Sequence, residues 1–342
     1  MQSLASDTGT VEDFVAGVLA GDRAILSRAI TLIESQSARH EEKAQEVLQR
    51  LLPHTGKARR IGITGAPGVG KSTFIEVFGC SLIDQGHAVA VLAIDPTSKR
   101  SGGSILGDKT RMENLSHQAR AFIRPSPAGD SVGGVARRTR ETMLLCEAAG
   151  FNLVLVESVG VGQSEVALRA MVDFFLLLLL PGAGDELQGI KRGIIEMADD
   201  ILVNKADGDN RQRAEQARLE QQSALACLQP ATPGWKTQSA LCSALTGEGI
   251  PQVWQRIEQF FRELEPKGLI AKRRKQQAVD WLADSIRDEL QRRFERHPAI
   301  QARFPALRES LLRGEITALA AARALLAAFD ARPENSDYDH KN

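Results

Sequence analysis

The segment from Gly65 to Thr73 reads GAPGVGKST, a glycine-rich run that ends in Lys-Ser-Thr. A short β-branched stretch, Ile61–Thr64, precedes it, and apolar residues at helical spacing follow it. A strand, a tight turn and a helix N-terminus in this order direct several backbone N–H groups at a polyphosphate. We predict that Lys71 reaches the β- and γ-phosphates and that the Ser72 hydroxyl ligates Mg²⁺. The predicted phosphate-binding residues are Gly65, Ala66, Pro67, Gly68, Val69, Gly70, Lys71, Ser72 and Thr73.

A second motif, Asn204-Lys205-Ala206-Asp207, follows the apolar segment Ile201–Val203. An aspartate carboxylate accepts hydrogen bonds from both N1–H and the 2-amino group of guanine, whereas adenine lacks that amino group and has an acceptor at N1. A carboxylate left unpaired against adenine is costly, so the motif predicts GTP and GDP as ligands. The predicted base-binding residues are Asn204, Lys205 and Asp207, with backbone N–H groups of Ser243, Ala244 and Leu245 offered to the guanine O6.

Acidic residues at two other strand ends are candidates for a magnesium site. Glu157 ends the strand-like segment Leu153–Val156, and Asp95 follows a strand and leads into a glycine-rich loop that reaches Asp108. Carboxylate and hydroxyl oxygens are suitable Mg²⁺ ligands. The predicted metal-binding residues are therefore Ser72, Asp95, Asp108 and Glu157. Asp108 has a second interpretation, as the cap of the following helix.

The glycine-rich segment after Glu157 is typical of a nucleotide-dependent switch. Gly160 is predicted to donate its N–H to the γ-phosphate, and Gln163 is a candidate for positioning the attacking water. The other interpretation of Gln163 is a solvent-facing residue at a helix N-terminus. The predicted catalytic residues are Lys71, Asp95, Asp108, Glu157 and Gln163.

These candidate residues require a sheet to bring them together. Strand-like and helix-like segments alternate from Arg60 to about Glu265, which predicts an α/β fold of the P-loop NTPase type with a doubly wound, mostly parallel sheet. The carboxyl ends of parallel strands then share one edge, with the ligand loops along it. The predicted strands are Ile61–Thr64, Ala88–Ile94, Ala121–Ile123, Leu153–Glu157, Asp173–Leu180, Ile201–Asn204 and a short one near Lys236–Ser239.

Helical patterns flank this region on both sides. We predict an N-terminal helical region at 1–57, with Asp22 as a helix N-cap, the GTPase domain at 58–265, a C-terminal helical arm at 266–330 and a disordered tail at 331–342. In the arm, Pro298 and Pro305 are expected to interrupt the helix, and another helix is predicted from Ala306 to about Phe329. The arm carries an apolar stripe that either packs on the main domain or is buried in a dimer, and its residues are Val279, Leu282, Ile286, Leu290 and Phe294.

The overall charge balance predicts neither a nucleic-acid nor a membrane partner. The 342 residues include 43 basic and 43 acidic ones, so no global attraction to nucleic acid or anionic membrane is expected. The longest apolar run, Phe174–Leu180, is too short to span a bilayer, and the first residues do not resemble a secretory signal. Four scattered cysteines are typical of a reducing compartment, so a cytoplasmic location is predicted.

With these motifs side by side, the chain closely resembles the MeaB/ArgK family, which includes the human methylmalonic aciduria type A protein. The resemblance extends from the N-terminal helices to about residue 328. The segments that carry it are GAPGVGKST at 65–73, DPTSKRSGGSILGDKTRM at 95–112, FIRPSPAGDSVGGVARRTRE at 122–141, ESVGVGQSE at 157–165, PGAGDELQGIKRGIIE at 181–196 and NKAD at 204–207.

The resemblance implies a Mg²⁺-dependent GTPase with slow intrinsic hydrolysis that a partner stimulates. It further implies a homodimer formed through the C-terminal helices. The implied role is a chaperone of adenosylcobalamin-dependent methylmalonyl-CoA mutase, which gates cofactor loading and protects the enzyme. Segment 181–192 resembles the switch that signals the nucleotide state to the mutase. Two alternatives remain open: a metal-delivery GTPase of the same fold, and an ATPase or kinase linked to basic amino-acid transport.

Overall fold

The computed structural model describes residues 9–35, 37–94, 112–125, 132–158, 163–182 and 188–331. In this part of the chain, seven parallel strands form one sheet with the order β3-β2-β4-β1-β5-β6-β7. The predicted α/β fold with a doubly wound sheet is confirmed. The strands are β1 Arg59–Gly65, β2 Val89–Ile94, β3 Ala121–Arg124, β4 Leu153–Ser158, β5 Phe174–Leu179, β6 Asp200–Val203 and β7 Ser239–Leu241.

The strand prediction near Lys236–Ser239 was wrong in its bounds, because β7 begins only at Ser239. Three residues give too short a pattern for sequence periodicity to locate the strand. Main-chain pairing places it instead, since Ile201 lies opposite Ser239 and Val203 opposite Leu241.

Helices cover both faces of the sheet and continue beyond it. Asp22 caps α2 as predicted, because its carboxylate accepts from the backbone N–H groups of Ala24 and Ile25. The helices are α1 Val11–Leu19, α2 Arg23–Glu34, α3 Ala38–Leu51, α4 Lys71–Asp84, α5 Glu113–His117, α6 Val132–Ala148, α7 Gln163–Arg169, α8 Gln188–Met197, α9 Arg211–Leu225, α10 Ile250–Leu264, α11 Leu269–Arg296, α12 Pro298–Leu312 and α13 Ala318–Asp330.

Two hydrophobic clusters lie on the two faces of the sheet. Strand β5 contributes to both, because Phe175, Leu177 and Leu179 belong to the cluster that contains α1–α3 and α6. Its alternate residues, Phe174 and Leu176, belong to the cluster that contains α4 and α10. A strand buried on both faces needs apolar residues at every position, which explains the uninterrupted run in the sequence.

Strand register sets the positions of the candidate site residues. Ile63 lies opposite Glu157, and Gly65 lies opposite Leu178. The carboxyl ends of β1, β4 and β5 therefore meet at one edge of the sheet. No helix in the described ranges combines the length and apolar character that crossing a membrane would require.

Residues up to 278 form one compact unit, and residues from 279 onward form a second. Within the second unit, Ile300, Leu325 and Ala328 form a small core. Two sequence predictions fail here. Pro305 does not interrupt a helix but lies inside α12, and the helix predicted from Ala306 to about Phe329 is divided between α12 and α13.

Both corrections have local physical reasons. Pro305 removes the helical hydrogen bond to the carbonyl of Gln301, which lies on an exposed stretch where water can replace the lost donor. The helix ends before Gly314, which has a φ of 75°, and Thr317 starts the next one by accepting from the N–H of Ala320.

Candidate nucleotide-binding site

The loop between β1 and α4 requires glycine at two positions, one because of a close approach to backbone and one because of a left-handed conformation. At Gly65, φ is 152°, and a Cβ atom would lie 2.4 Å from the carbonyl oxygen of Leu178. Gly70 precedes α4 with a φ of 93°. No described side chain caps that helix, so its first N–H groups are directed at the space inside the loop. This arrangement is typical of an anion-binding helix N-terminus.

Lys71 lies inside this loop. Its ammonium donates to the carbonyl oxygens of Gly65, at 2.8 Å, and Ala66, at 3.2 Å, and only 8% of the residue is exposed. Burial lowers the pKa of Lys71, while the carboxylates of Glu157 and Glu165 oppose this effect. The lysine is thus a desolvated cation, which strengthens its attraction for an incoming phosphate.

The structure brings together two of the four predicted metal ligands. The Ser72 hydroxyl lies 3.4 Å from a carboxylate oxygen of Glu157. Asp95, Asp108 and Gly160 lie outside the described residues. Gln163 begins α7, but its side chain lies outside the described part, so both interpretations of this residue stay predictions. Among the described residues, no group of three or more His, Cys, Asp or Glu side chains is arranged to hold a metal ion.

Asn204 joins the phosphate loop to the loop after β7. Its amide nitrogen donates to the carbonyl of Val69 at 2.8 Å, and its amide oxygen accepts from the N–H of Ala244 at 3.0 Å. The Cys242 thiol also lies 3.5 Å from that oxygen. Asn204 is 1% exposed, so both of its bonds are protected from water. Base binding by Asn204 stays a prediction, and its described contacts hold the surrounding loops together.

Lys205 and Asp207 occupy the outer side of this junction. Among the described residues, Lys205 is the only non-glycine with a positive φ, at 59°, a conformation that is held only where surrounding contacts impose it. The Asp207 carboxylate accepts from the Ser243 hydroxyl at 2.6 Å. Ser243 in turn accepts from the N–H of Thr246 at 3.2 Å, so the orientation of the carboxylate is fixed.

A cavity of about 660 Å³ opens beside this carboxylate. The backbone N–H groups of Ser243 and Ala244 are used within the protein, by the carbonyl of Glu248 and by Asn204 respectively. Of the three N–H groups predicted to reach the guanine O6, that of Leu245 is the one without a described acceptor. The cavity is lined by Ala206, Asp207, Gly208, Arg211, Thr246, Gly247 and Glu248.

Two buried polar features near the phosphate loop were not predicted. Thr64 and Ser158, at the ends of β1 and β4, share a hydroxyl–hydroxyl hydrogen bond of 2.7 Å. Glu165 is 1% exposed, and one of its oxygens accepts from the Ser164 hydroxyl at 3.2 Å. Its other oxygen has no hydrogen-bond partner among the described residues. Glu165 carries no distinctive sequence signal, because acidic residues are common in the first turn of any helix.

A parallel sheet whose first strand leads through a glycine-rich loop into a helix with Lys-Ser at its start defines a P-loop NTPase. A family model described as methylmalonyl Co-A mutase-associated GTPase MeaB matches residues 26–299. The chain belongs to this family, which confirms the resemblance noted in its motifs. It is therefore a GTPase, with GTP and GDP as its nucleotides.

Similar proteins support the same assignment. The methylmalonic aciduria type A homolog, mitochondrial, of Mus musculus is 45% identical over 332 residues, which cover 94% of this chain and 80% of the mouse protein. GTPase ArgK of Escherichia coli is 46% identical over 281 residues, which cover 82% of this chain and 85% of the ArgK protein. A crystal structure of a LAO/AO transport system kinase matches with a TM-score of 0.74 and 35% sequence identity. The match covers 94% of this chain and 98% of the kinase chain.

Proposed function

We propose that this chain binds GTP with Mg²⁺ and uses its hydrolysis to regulate methylmalonyl-CoA mutase, by controlling adenosylcobalamin loading and protecting the enzyme. Guanine selectivity rests on the Asp207 carboxylate, which Ser243 holds at the wall of an open cavity. The choice of the mutase as partner rests on the family description, which names a mutase-associated GTPase.

The phosphate end of the site is assigned to Lys71 and the residues around it. The ammonium of Lys71 exchanges its carbonyl partners for the β- and γ-phosphate oxygens. The N–H groups at the start of α4 hold the same phosphates. The chain thereby fixes the phosphates in a low-dielectric pocket before any bond is broken.

The oxygen donors present fit Mg²⁺, because Ser72 and Glu157 offer a hydroxyl and a carboxylate within 3.4 Å of each other. They would hold the ion together with Asp95 and Asp108, which sequence analysis assigns to the same site. When bound, Mg²⁺ supplies positive charge to the β- and γ-phosphate oxygens. Glu157 is proposed to hold Mg²⁺ directly or through water, and Gln163 to position the attacking water. Completing that arrangement is proposed as the step that the partner stimulates.

We assign dimer formation to the stripe on α11. Val279, Leu282, Ile286 and Leu290 are between 51% and 62% exposed. Apolar side chains at this spacing gain by burial against a second copy of the chain. Light scattering of the purified protein tests this directly: a monomeric mass at micromolar concentration contradicts the dimer. The cytoplasmic location predicted from the sequence stays a prediction.

The central experiment measures GTP and ATP turnover by the purified chain, alone and with a methylmalonyl-CoA mutase. We expect slow hydrolysis of GTP, little hydrolysis of ATP, and faster GTP hydrolysis when the mutase is added. Lys71→Ala serves as the inactive control, since it removes the phosphate-binding cation without touching the base loops. Adenosylcobalamin transfer to the mutase is followed in parallel by its absorbance, with GTP and with a non-hydrolysable analogue.

Each contrary result points to a particular alternative. GTP hydrolysis that is indifferent to the mutase contradicts the proposed partner while the GTPase remains. ATP use with phosphate transfer to protein contradicts the guanine assignment and favours the transport-linked kinase. Stoichiometric, tight binding of a transition metal favours the metal-delivery GTPase.

A further inference from the structure

Two charged side chains meet across the cavity that we assign to guanine. Arg211 is the first residue of α9, and Glu248 lies just before α10. A guanidinium nitrogen of Arg211 lies 2.5 Å from a carboxylate oxygen of Glu248. Both residues line the cavity, and their side chains are 54% and 57% exposed. The pair therefore lies at the solvent-facing side of the base site.

Each partner is also joined to the backbone of a different base loop. Arg211 donates to the carbonyl of Ala206, in the Asn204–Asp207 loop, at 3.4 Å. The backbone carbonyl of Glu248 accepts from the N–H of Ser243 at 2.9 Å. On the inner side of the site, Asn204 already connects these loops through a buried hydrogen bond. The Arg211–Glu248 pair supplies the matching connection on the outer side.

We propose that Arg211 and Glu248 form a clasp that holds the two base-recognition loops together and slows the release of guanine nucleotides. The proposal rests on the assignment of this cavity to guanine. The clasp is closed when the ion pair is formed. Its opening removes the outer connection and leaves the loops joined on their inner side, so a nucleotide held by both loops is bound less firmly.

The charges at the cavity favour a clasp over direct contact of Arg211 with the ligand phosphates. The Glu248 carboxylate at the same position would repel a phosphate and neutralises the nearby guanidinium. The base end of a nucleotide carries no charge and tolerates such a pair. Phosphate binding is moreover accounted for at the other end of the site, by Lys71 and the start of α4.

A double-mutant cycle on the full chain, without mutase, tests the clasp. GDP carrying a fluorescent N-methylanthraniloyl group is bound, and its release is timed after adding excess GDP. Because exposed ion pairs contribute modestly, we expect Arg211→Ala and Glu248→Ala each to accelerate release about two- to fivefold. The double variant should release no faster than either single variant, and the exchanged pair Arg211→Glu with Glu248→Arg should recover slow release.

A matched control lies on the same helix. Arg218 and Glu215 form an ion pair of 2.7 Å on α9, partly exposed and away from the cavity lining. Arg218→Ala and Glu215→Ala should leave release unchanged. Raising the salt concentration should accelerate release more in the wild type than in the Arg211→Ala variant, because screening weakens the intact pair in addition to the phosphate contacts that both proteins share.

Three results would overturn the clasp. One is release at the wild-type rate in both single variants. The second is faster release in Arg211→Ala with slower release in Glu248→Ala, which means that Arg211 contacts the nucleotide itself. The third is equal acceleration in the Arg218→Ala control. If the wild type retains no guanine nucleotide, the proposed function fails first, and with it the assignment of the cavity on which the clasp rests.

Discussion

Substitution of Asp207 by asparagine should change the base preference from guanine to xanthine. One carboxylate oxygen of Asp207 accepts from the Ser243 hydroxyl at 2.6 Å. In an asparagine at this position, the amide oxygen can keep that hydrogen bond, and the amide NH₂ group then occupies the place of the second carboxylate oxygen. The side chain keeps its size and orientation, while the atom that faces the 2-position of the base changes from acceptor to donor and the amide oxygen stays available to N1–H.

The size of the effect follows from the hydrogen bonds exchanged. Guanine presents two donors, N1–H and the 2-amino group, and each loses an ionised acceptor that contributes about 1.5–3 kcal/mol. The loss of GTP affinity is therefore about 3–6 kcal/mol, or roughly 10²- to 10⁴-fold. Xanthine carries a carbonyl oxygen in place of the 2-amino group, so it accepts from the new amide and binds the variant in preference to GTP.

The assay compares kcat and KM for GTP and xanthosine triphosphate. Asp209→Asn is the matched control, because Asp209 is an exposed carboxylate in the turn directly after Asp207. In the wild type, we expect the lower KM for GTP, and in Asp207→Asn the lower KM for xanthosine triphosphate. The kcat of the variant with xanthosine triphosphate should be near that of the wild type with GTP. The role given to this carboxylate is refuted if Asp207→Asn raises KM for both nucleotides to the same extent. It is also refuted if Asp209→Asn changes the two KM values as much as Asp207→Asn does.

Three further predictions concern the fold around the site. Gly62→Ala should destabilise the protein by about 1–3 kcal/mol, because its Cβ would lie 2.9 Å from a side chain of α7. Thermal unfolding measures this, with Gly193→Ala as the control, since a Cβ there meets nothing within 4 Å. Arg274→Met should lower the free energy of unfolding in urea by about 3–5 kcal/mol, because it leaves the fully buried Asp173 carboxylate without its cation; a change below about 1 kcal/mol contradicts this. Burial raises the pKa of the Cys242 thiol to about 12, so its reactive thiolate forms only as the pH approaches that value. Mass spectrometry after iodoacetamide treatment at pH 8 should find Cys242 modified in denatured protein and unmodified in native protein.

The sequence was most informative where local pattern and tertiary environment agree. The phosphate loop was predictable because its glycines, Lys71 and Ser72 occupy consecutive positions whose geometry is set by the turn itself. Strand β5 was predictable because a strand buried on both faces is apolar throughout. In both cases, residues close in sequence determine the feature.

Features that depend on distant residues were not predictable in this way. The Arg211–Glu248 pair joins the first residue of α9 to the loop before α10, and neither residue belongs to a recognisable motif. The short strand β7 exists because β6 provides a template for its backbone, and three residues alone give little periodicity. Pro305 stays helical because its neighbourhood is exposed, and exposure depends on the folded chain.

Asn204 holds the phosphate loop and the loop after β7 in a fixed position relative to each other. Its single buried amide satisfies the carbonyl of Val69 in the phosphate loop and the N–H of Ala244 in the base loop. Each of these backbone groups would otherwise be buried without a partner, at about 1–3 kcal/mol each. A change at Asp207 leaves this junction intact. The expected exchange of guanine for xanthine can therefore alter KM while the phosphate loop, and with it kcat, keeps its geometry.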